Sequence, residues 1–185
     1  MKQKNTLVWM KESKVLYWGS SFMKPKLIVV EGADGVGKTY LCKKLAKEKG
    51  WFYLKTPPKV LSKIKCKTPE EELIRYLDGV ILNSITIQKK LSSKKTVICD
   101  RYYITFLVDL KLARINLDVS KLLTFLPKPN QTILLEEKYG VVVERLKQKK
   151  NKSKLEKEII DDKKMYDKVV KLFREMKTYS KNKFF

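Results

Sequence analysis

The sequence contains no histidine, and this absence excludes catalysis by an imidazole base and metal sites built on imidazole ligands. Only three cysteines are present, Cys42, Cys66 and Cys99, and their odd number and wide spacing predict reduced thiols rather than zinc ligands or disulfides. No apolar run reaches the roughly 18 residues that span a bilayer, and the first residues lack the apolar block of a secretory signal. We therefore predict a cytoplasmic protein without a membrane partner.

Acidic residues are also few, because 20 Asp and Glu stand against 42 Lys and Arg, which gives a formal net charge of +22. Such a field attracts polyanions, whether nucleotides, nucleic acid or acidic surfaces. The excess is mostly lysine, whereas arginine, the better bidentate partner of phosphates and bases, is scarce. No aromatic residues interleave with the lysine runs in a base-stacking pattern. We therefore expect small-molecule nucleotides, not nucleic acid, as partners.

The chain does contain a regular alternation of short apolar segments and longer segments with helical spacing. The short segments are rich in β-branched residues, which is typical of strands buried in a parallel sheet. Strands that alternate with helices predict an α/β fold with a doubly wound parallel sheet flanked by helices. The predicted strands are Leu27–Glu31, 51–54, 96–100 and 131–135, and the predicted helices include Lys38–Lys49, 69–91, 141–148 and 155–177.

Residues 1–22 stand outside this alternation, and residues 23–185 form a single predicted domain. Met23 lies immediately before the first strand, as a native start would. Alternatively, one of the apolar segments 7–10 and 15–18 adds an edge strand to the sheet. The sequence leaves both interpretations of this N-terminal extension open.

The clearest motif follows the first strand. Its glycines allow the backbone to turn sharply and to aim N–H groups at phosphate oxygens. Lys38 is expected to neutralise the β- and γ-phosphates of a nucleotide, and the Thr39 hydroxyl to bind Mg²⁺. The motif G-x-x-x-x-G-K-T, typical of a P-loop NTPase-type sheet, is Gly32-Ala33-Asp34-Gly35-Val36-Gly37-Lys38-Thr39.

Asp100, Arg101 and Tyr102 come at the end of the third predicted strand. A carboxylate at the C-terminal end of a strand beside the P-loop strand lies where Mg²⁺ and a phosphoryl acceptor meet. Arg101 can bind the phosphoryl groups as negative charge develops on them. An aspartate in this place is alternatively a helix cap. Together with the P-loop, Asp100 and Arg101 predict a phosphoryl-transfer site.

A basic segment, 145–154, lies between two predicted helices. It can be a solvated, lysine-rich loop. It can also be a lid that closes over ATP and shields the reaction from water. Its place in the order of elements favours the lid.

Together these motifs resemble the thymidylate kinase family. The resemblance implies a nucleoside monophosphate kinase of nucleotide biosynthesis, which uses ATP and Mg²⁺ and phosphorylates a deoxynucleotide. The first acceptor to expect is dTMP, with dTDP as the product. The matching segments are E-G-A-D-G-V-G-K-T at 31–39, V-I-C-D-R-Y-Y at 97–103, P-K-P-N-Q-T-I-L-L-E at 127–136, V-V-V-E-R-L at 141–146 and L-E-K-E at 155–158, within a region from 23 to 173.

The resemblance also implies roles for individual residues. The P-loop backbone and Lys38 would bind the donor phosphates, while Thr39 and Asp100 would bind the metal. Gly35 stands where some family members have a catalytic arginine, so the lid would supply that positive charge, through Arg145, Lys147, Lys149 or Lys154. The acceptor would be bound by Asp34, Arg75, Arg101 and Thr105, with Asp34 near either the acceptor sugar or the metal. The implied catalytic residues are Lys38, Asp100, Arg101, Arg145 and Lys149.

The chain departs from the family pattern in three places. In the second long helix, Arg75 and Gly79 stand where the family has a thymine-stacking aromatic residue and an arginine that holds the acceptor phosphate. Arg75 and the ring of Tyr76 are the nearest substitutes. The segment 55–58 replaces a Thr-Arg-Glu-Pro-like sequence, and the chain ends before the family's last strand, which helps to enclose adenine.

These departures leave other functions open. A deoxynucleoside kinase of the same fold would need no arginine for an acceptor phosphate. A non-catalytic P-loop protein that binds ATP or nucleic acid is a further alternative. A homodimer is also left open by the sequence.

Overall fold

Four parallel strands form the sheet of this protein, in a computed structural model that describes residues 24–184. The strands lie in the order β2-β3-β1-β4, and crossover segments connect each parallel strand to the next one in the chain. The predicted extension at residues 1–22 lies outside the described residues. The strands are β1 (Leu27–Glu31), β2 (Phe52–Lys55), β3 (Val97–Asp100) and β4 (Gln131–Leu134).

Helices cover both faces of the sheet, which confirms the predicted doubly wound α/β fold. The two central strands, β1 and β3, are buried at every residue. Within residues 24–184, no helix is both long enough and apolar enough to cross a membrane. The helices are α1 (Lys38–Lys49), α2 (Pro69–Ser92), α3 (Tyr103–Leu112), α4 (Ser120–Thr124), α5 (Tyr139–Gln148), α6 (Lys154–Asp161) and α7 (Lys163–Phe184), with a 3-10 turn at Leu61–Lys63.

Alternate residues of β1 supply the two cores. Leu27 and Val29 point to a large core, where α2, α3 and α7 pack on one face of the sheet. Ile28 and Val30 point to a smaller core beneath α1, which includes Cys42. This period of two is why a continuous apolar strand is required here, since both of its faces are buried.

Local signals at helix ends account for the boundaries that the sequence predicted correctly. Helix α1 ends at Gly50, which has a positive φ of 67° and donates its N–H to the carbonyl of Ala46. Helix α2 begins after Thr68, whose hydroxyl accepts the N–H of Glu71 at 3.2 Å. The predicted strands β2, β3 and β4 differ from the observed ones by a single residue at one or both ends.

The single helix predicted over 155–177 is wrong, because the chain forms α6 and α7 with a break at Asp162. Asp162 has extended backbone angles, φ −135° and ψ 112°. Its carboxylate accepts the N–H of Lys164 at 2.8 Å, as a cap at the start of α7 does. The break therefore follows from a local aspartate cap that the helical spacing of the apolar residues conceals.

Helix α2 holds the segment that follows β2. Asn83 donates to the carbonyl of Lys55 at 2.9 Å and to the hydroxyl of Thr56 at 2.8 Å. Gly79, one turn earlier, faces Pro57 so closely that a β-carbon on Gly79 would lie 2.6 Å from the β-carbon of Pro57. Pro57 thus leaves no room for a side chain at position 79.

We predict that Gly79→Ala lowers the free energy of unfolding by about 1–3 kcal/mol, because the new methyl group overlaps Pro57. The matched control is Gly140→Ala in α5, where a β-carbon meets nothing within 4 Å. That control should be neutral or stabilising by up to about 1 kcal/mol. Urea unfolding of both variants measures the difference, and a Gly79→Ala protein as stable as the control would contradict the close contact.

Candidate functional site

The P-loop connects β1 to α1 and depends on glycine at two positions in particular. Gly32 has a φ of 144°, and a β-carbon there would lie 2.3 Å from the carbonyl oxygen of Leu135. Gly35 has a φ of 82°, and a β-carbon there would lie 2.9 Å from a methyl carbon of Val142. Both positions therefore combine a left-handed backbone with a close neighbour, so only glycine allows this tight loop.

Lys38 lies under the loop with only 5% of its surface exposed. Its Nζ donates to the carbonyl oxygens of Gly32 at 2.9 Å and Ala33 at 2.5 Å. Burial, with the nearby charge of Arg101, lowers the pKa of Lys38 to about 8. The cleft above the loop is lined by Asp34, Gly35, Gly37, Lys38, Thr39, Tyr40, Lys55, Asp100 and Arg101.

Asp100 and Thr39 meet at the floor of this cleft. The Thr39 hydroxyl donates to Oδ2 of Asp100 at 2.5 Å, and the Tyr53 hydroxyl approaches the same oxygen at 3.3 Å. Oδ1 of Asp100 is buried and has no hydrogen-bond partner within residues 24–184. An orphaned carboxylate oxygen beside a threonine hydroxyl is a donor set that suits Mg²⁺, which binds oxygen ligands.

Arg101 forms an ion pair with Asp34 of the P-loop. Burial opposes ionisation of Asp34, but Arg101 and Lys38 more than offset it and lower the pKa of Asp34 to about 2. A second nitrogen of Arg101, Nη1, donates to the Thr105 hydroxyl at 3.2 Å. The structure therefore brings Asp34, Arg101 and Thr105 together, and two of them, Asp34 and Arg101, line the cleft. Their binding of an acceptor stays a prediction.

Arg145 and Lys149, the two residues of segment 145–154 with an implied catalytic role, occupy different places. Arg145 in α5 donates from Nη1 to the Gly35 carbonyl at 3.2 Å and pairs with Glu137 at 3.4 Å. Lys149 instead pairs with both oxygens of the buried Glu156, at 2.6 and 2.9 Å. The charge of Lys149 nevertheless contributes to the low pKa of Asp34. Arg145 thus contacts the P-loop directly, whereas Lys149 acts on it from a distance.

Arg75 lies on α2, one turn before Gly79, and is partly buried. Its Nε is buried without a hydrogen-bond partner in the described part of the chain. A buried guanidinium donor that lacks an acceptor is costly unless a ligand supplies one. Sequence reasoning named this residue, and the structure adds the orphaned donor.

Asp109, which the sequence interpretation missed, is the one acidic residue of helix α3. Burial raises its pKa to about 7; Arg101 opposes this shift, while Asp34, Glu31 and Glu72 reinforce it. An acidic residue in a run of buried apolar residues was the available signal. Asp109 adds a further carboxyl group to the surroundings of Arg101.

Comparison with known proteins gives a consistent result. A family model described as thymidylate kinase matches residues 30–184. A probable thymidylate kinase from Archaeoglobus fulgidus is 34% identical over 151 residues, which cover 71% of this chain and 74% of that protein.

Solved structures share the fold at lower identity. A thymidylate kinase from Candida albicans has a TM-score of 0.60 and 18% identity, covering 82% of this chain and 77% of its own. One from Ehrlichia chaffeensis has a TM-score of 0.60 and 19% identity, with coverage of 85% and 83%. A deoxyadenosine kinase from M. mycoides has a TM-score of 0.58 and 13% identity, with coverage of 85% and 86%.

The raised pKa of Asp109 predicts a pH-dependent gain in stability for Asp109→Asn. The folded state binds a proton at Asp109 that the unfolded state releases near its ordinary pKa, so ionisation penalises folding progressively from about pH 4 to above pH 7. The variant should exceed the wild type by about 2–4 kcal/mol near pH 8, because one pKa unit corresponds to about 1.4 kcal/mol. The advantage should vanish near pH 4.

Chemical unfolding at the two pH values measures this effect, with the exposed Asp78→Asn as the control. A gain of the same size at both pH values would contradict a burial-driven shift, because it would not depend on ionisation of Asp109.

Proposed function

This chain belongs to the thymidylate kinase family, and we propose that it transfers the γ-phosphoryl group of ATP to the phosphate of dTMP, giving dTDP. It is an ATP-dependent phosphotransferase by family. The observation that carries the proposal is a single cleft in which Lys38, the Thr39–Asp100 pair and the Arg101–Asp34 pair converge. Phosphoryl transfer is catalysed mainly by positioning and by electrostatic stabilisation, which these groups provide.

The P-loop and Lys38 serve the donor in this proposal. Backbone N–H groups of the loop bind phosphate oxygens, and the Lys38 ammonium exchanges the carbonyls of Gly32 and Ala33 for them. That exchange is favourable because a phosphate is charged, whereas the two carbonyls are not. Arg145, which already contacts Gly35, would add positive charge from the basic segment 145–154. Lys149 would add a second positive charge after its ion pair with Glu156 breaks.

Thr39 and Asp100 would hold Mg²⁺, which in this chemistry neutralises charge on the phosphates. The fit rests on the orphaned Oδ1 of Asp100 and on the adjacent Thr39 hydroxyl. Within residues 24–184 no group of three or more His, Cys, Asp or Glu forms a metal cage. A site with few protein ligands is what Mg²⁺ needs when phosphates and water complete its coordination.

The acceptor side of the cleft, in this proposal, begins at Asp100 and Arg101, where β3 ends. Arg101 would bind the acceptor phosphate, with Thr105 and Asp34 beside it. Arg75 would add a second guanidinium, because its buried Nε lacks an acceptor among the described residues. A cytoplasmic location, a homodimeric state and a catalytic domain confined to 23–185 stay predictions.

The decisive experiment is an ADP-release assay with ATP, Mg²⁺ and a panel of acceptors: dTMP, dUMP, dCMP, dGMP and the parent nucleosides. We expect dTMP to give the highest kcat/KM. Phosphorylation of a nucleoside, with no turnover of any monophosphate, would instead identify a deoxynucleoside kinase. Gly79, which has no side chain to bind a phosphate, is the observation that favours this second candidate.

We predict that Lys38→Ala lowers kcat by roughly 10²–10³-fold, the usual effect of removing one electrostatic contact to the reacting groups. The fold should persist, because the side chain makes hydrogen bonds to loop carbonyls and little apolar contact. The control is Lys47→Ala, an exposed lysine on the same helix. Near-normal turnover of Lys38→Ala would contradict a role for Lys38 in binding the phosphates.

We also predict that Arg75→Ala raises the KM for dTMP by roughly 10–100-fold while leaving the KM for ATP within about twofold. The reason is that Arg75 would bind the acceptor phosphate in this proposal, whereas the P-loop and the basic segment 145–154 would bind the donor. Arg75→Lys keeps the charge but loses the planar fork, so an intermediate KM would indicate bidentate binding.

The control for this series is Arg174→Ala, which loses only a surface ion pair with Glu136 near the end of β4. Steady-state kinetics with each substrate varied in turn separates the two KM values. Equal and small effects of Arg75→Ala on both substrates would exclude Arg75 from the acceptor site.

A further inference from the structure

We propose that Glu31 is a positioning residue that acts through Thr105 to aim Arg101 at the acceptor phosphate, an inference that rests on the function proposed above. Glu31 is the last residue of β1 and is fully buried. Its own atoms do not line the cleft, so it does not contact the reacting groups directly. Its influence is confined to the groups that it binds.

A chain of hydrogen bonds links Glu31 to Arg101. Oε2 of Glu31 accepts the Thr105 hydroxyl proton at 2.6 Å, and the same hydroxyl oxygen accepts Nη1 of Arg101 at 3.2 Å. Oε1 of Glu31 accepts the N–H of Tyr102 at 2.8 Å. One carboxylate thus fixes both the first turn of α3 and the hydroxyl that receives Arg101.

Both oxygens of Glu31 accept hydrogen bonds, as those of a carboxylate do. Each of its oxygens faces a donor, and a protonated acid would direct its own O–H at one of them. Burial raises the pKa of Glu31, and its contacts with Thr105, Arg101, Tyr102 and Lys38 limit that rise without cancelling it. When Glu31 is ionised, the Thr105 hydroxyl donates its proton to Oε2 of Glu31, so a lone pair of the same hydroxyl oxygen accepts from Arg101. The direction of the whole chain follows from that one charge.

Arg101 needs such support because its backbone lies in the left-handed region, with φ of 70°. A residue that carries a β-carbon adopts this region only when its surroundings hold it there. Its N–H is held by the carbonyl of Val30 at 3.0 Å, and its guanidinium by Asp34 and Thr105. Without the Thr105 bond, the described contacts leave Asp34 alone to orient the guanidinium.

The test is a double-mutant cycle of Glu31→Gln and Arg101→Ala, with the KM for dTMP and for ATP measured in each protein. A glutamine offers one acceptor oxygen and one NH₂ group, so it cannot serve both donors as the carboxylate does. We expect Glu31→Gln to raise the dTMP KM by roughly 10–100-fold, because misplacing a binding group by about 1 Å has effects of that size. The ATP KM should change by less than about twofold.

In the Arg101→Ala background, Glu31→Gln should change the dTMP KM by less than about twofold, because the residue through which it acts is absent. Thr105→Val is the second variant. It keeps the shape and removes the relaying hydroxyl, and should reproduce the selective rise in the dTMP KM even if Glu31→Gln does not fold.

The outcomes separate this inference from the function on which it rests. An unchanged dTMP KM in Arg101→Ala would overturn the proposed acceptor site and the role of Glu31 with it. A raised dTMP KM in Arg101→Ala, with additive effects of Glu31→Gln or equal rises for both substrates, would overturn the positioning role alone. Glu31 would then only cap the start of α3.

Discussion

The parallel pairing of β1 with β3 is the constraint on which the rest of the site depends. In its register Val30 lies opposite Asp100, and the N–H of Arg101 donates to the carbonyl of Val30 at 3.0 Å. Because both strands end at the same edge of the sheet, the P-loop and Asp100 emerge side by side. A slip by one residue would send the Asp100 side chain to the other face of the sheet, away from Thr39.

The residues that line the cleft include three cations, Lys38, Lys55 and Arg101, and two carboxylates, Asp34 and Asp100. Lys38 and Arg101 share the site and its surroundings with Glu31, Asp34, Asp100 and Asp109. A cleft of this composition is much less positive than a chain of net charge +22. Attraction of a polyphosphate therefore requires backbone N–H groups, a divalent cation and the lid lysines, while the surface lysines provide a long-range field.

Sequence reasoning succeeded where a local pattern decides the structure. The P-loop, strand β1, helix α1 with Gly50, and the approach of Asp100 to Thr39 all follow from short motifs and from the rules for parallel sheets. Sequence reasoning failed where contacts between residues far apart in the chain decide the structure. Glu31 and Thr105 are 74 positions apart, and no pattern within β1 predicts which donors would occupy the carboxylate.

Helix α2 shows how distant contacts limit the size of a side chain. Pro57 packs against Gly79, and Asn83 holds the segment before it, so no larger side chain fits at Gly79 without displacing that segment. Positions 75 and 79 are four residues apart, about 6 Å along the axis, and lie on the same face of α2. An arginine side chain can span that distance, so a guanidinium from position 75 can reach the region that a side chain at 79 would occupy. The proposed role of Arg75 therefore needs no side chain at position 79, where Pro57 leaves no room for one.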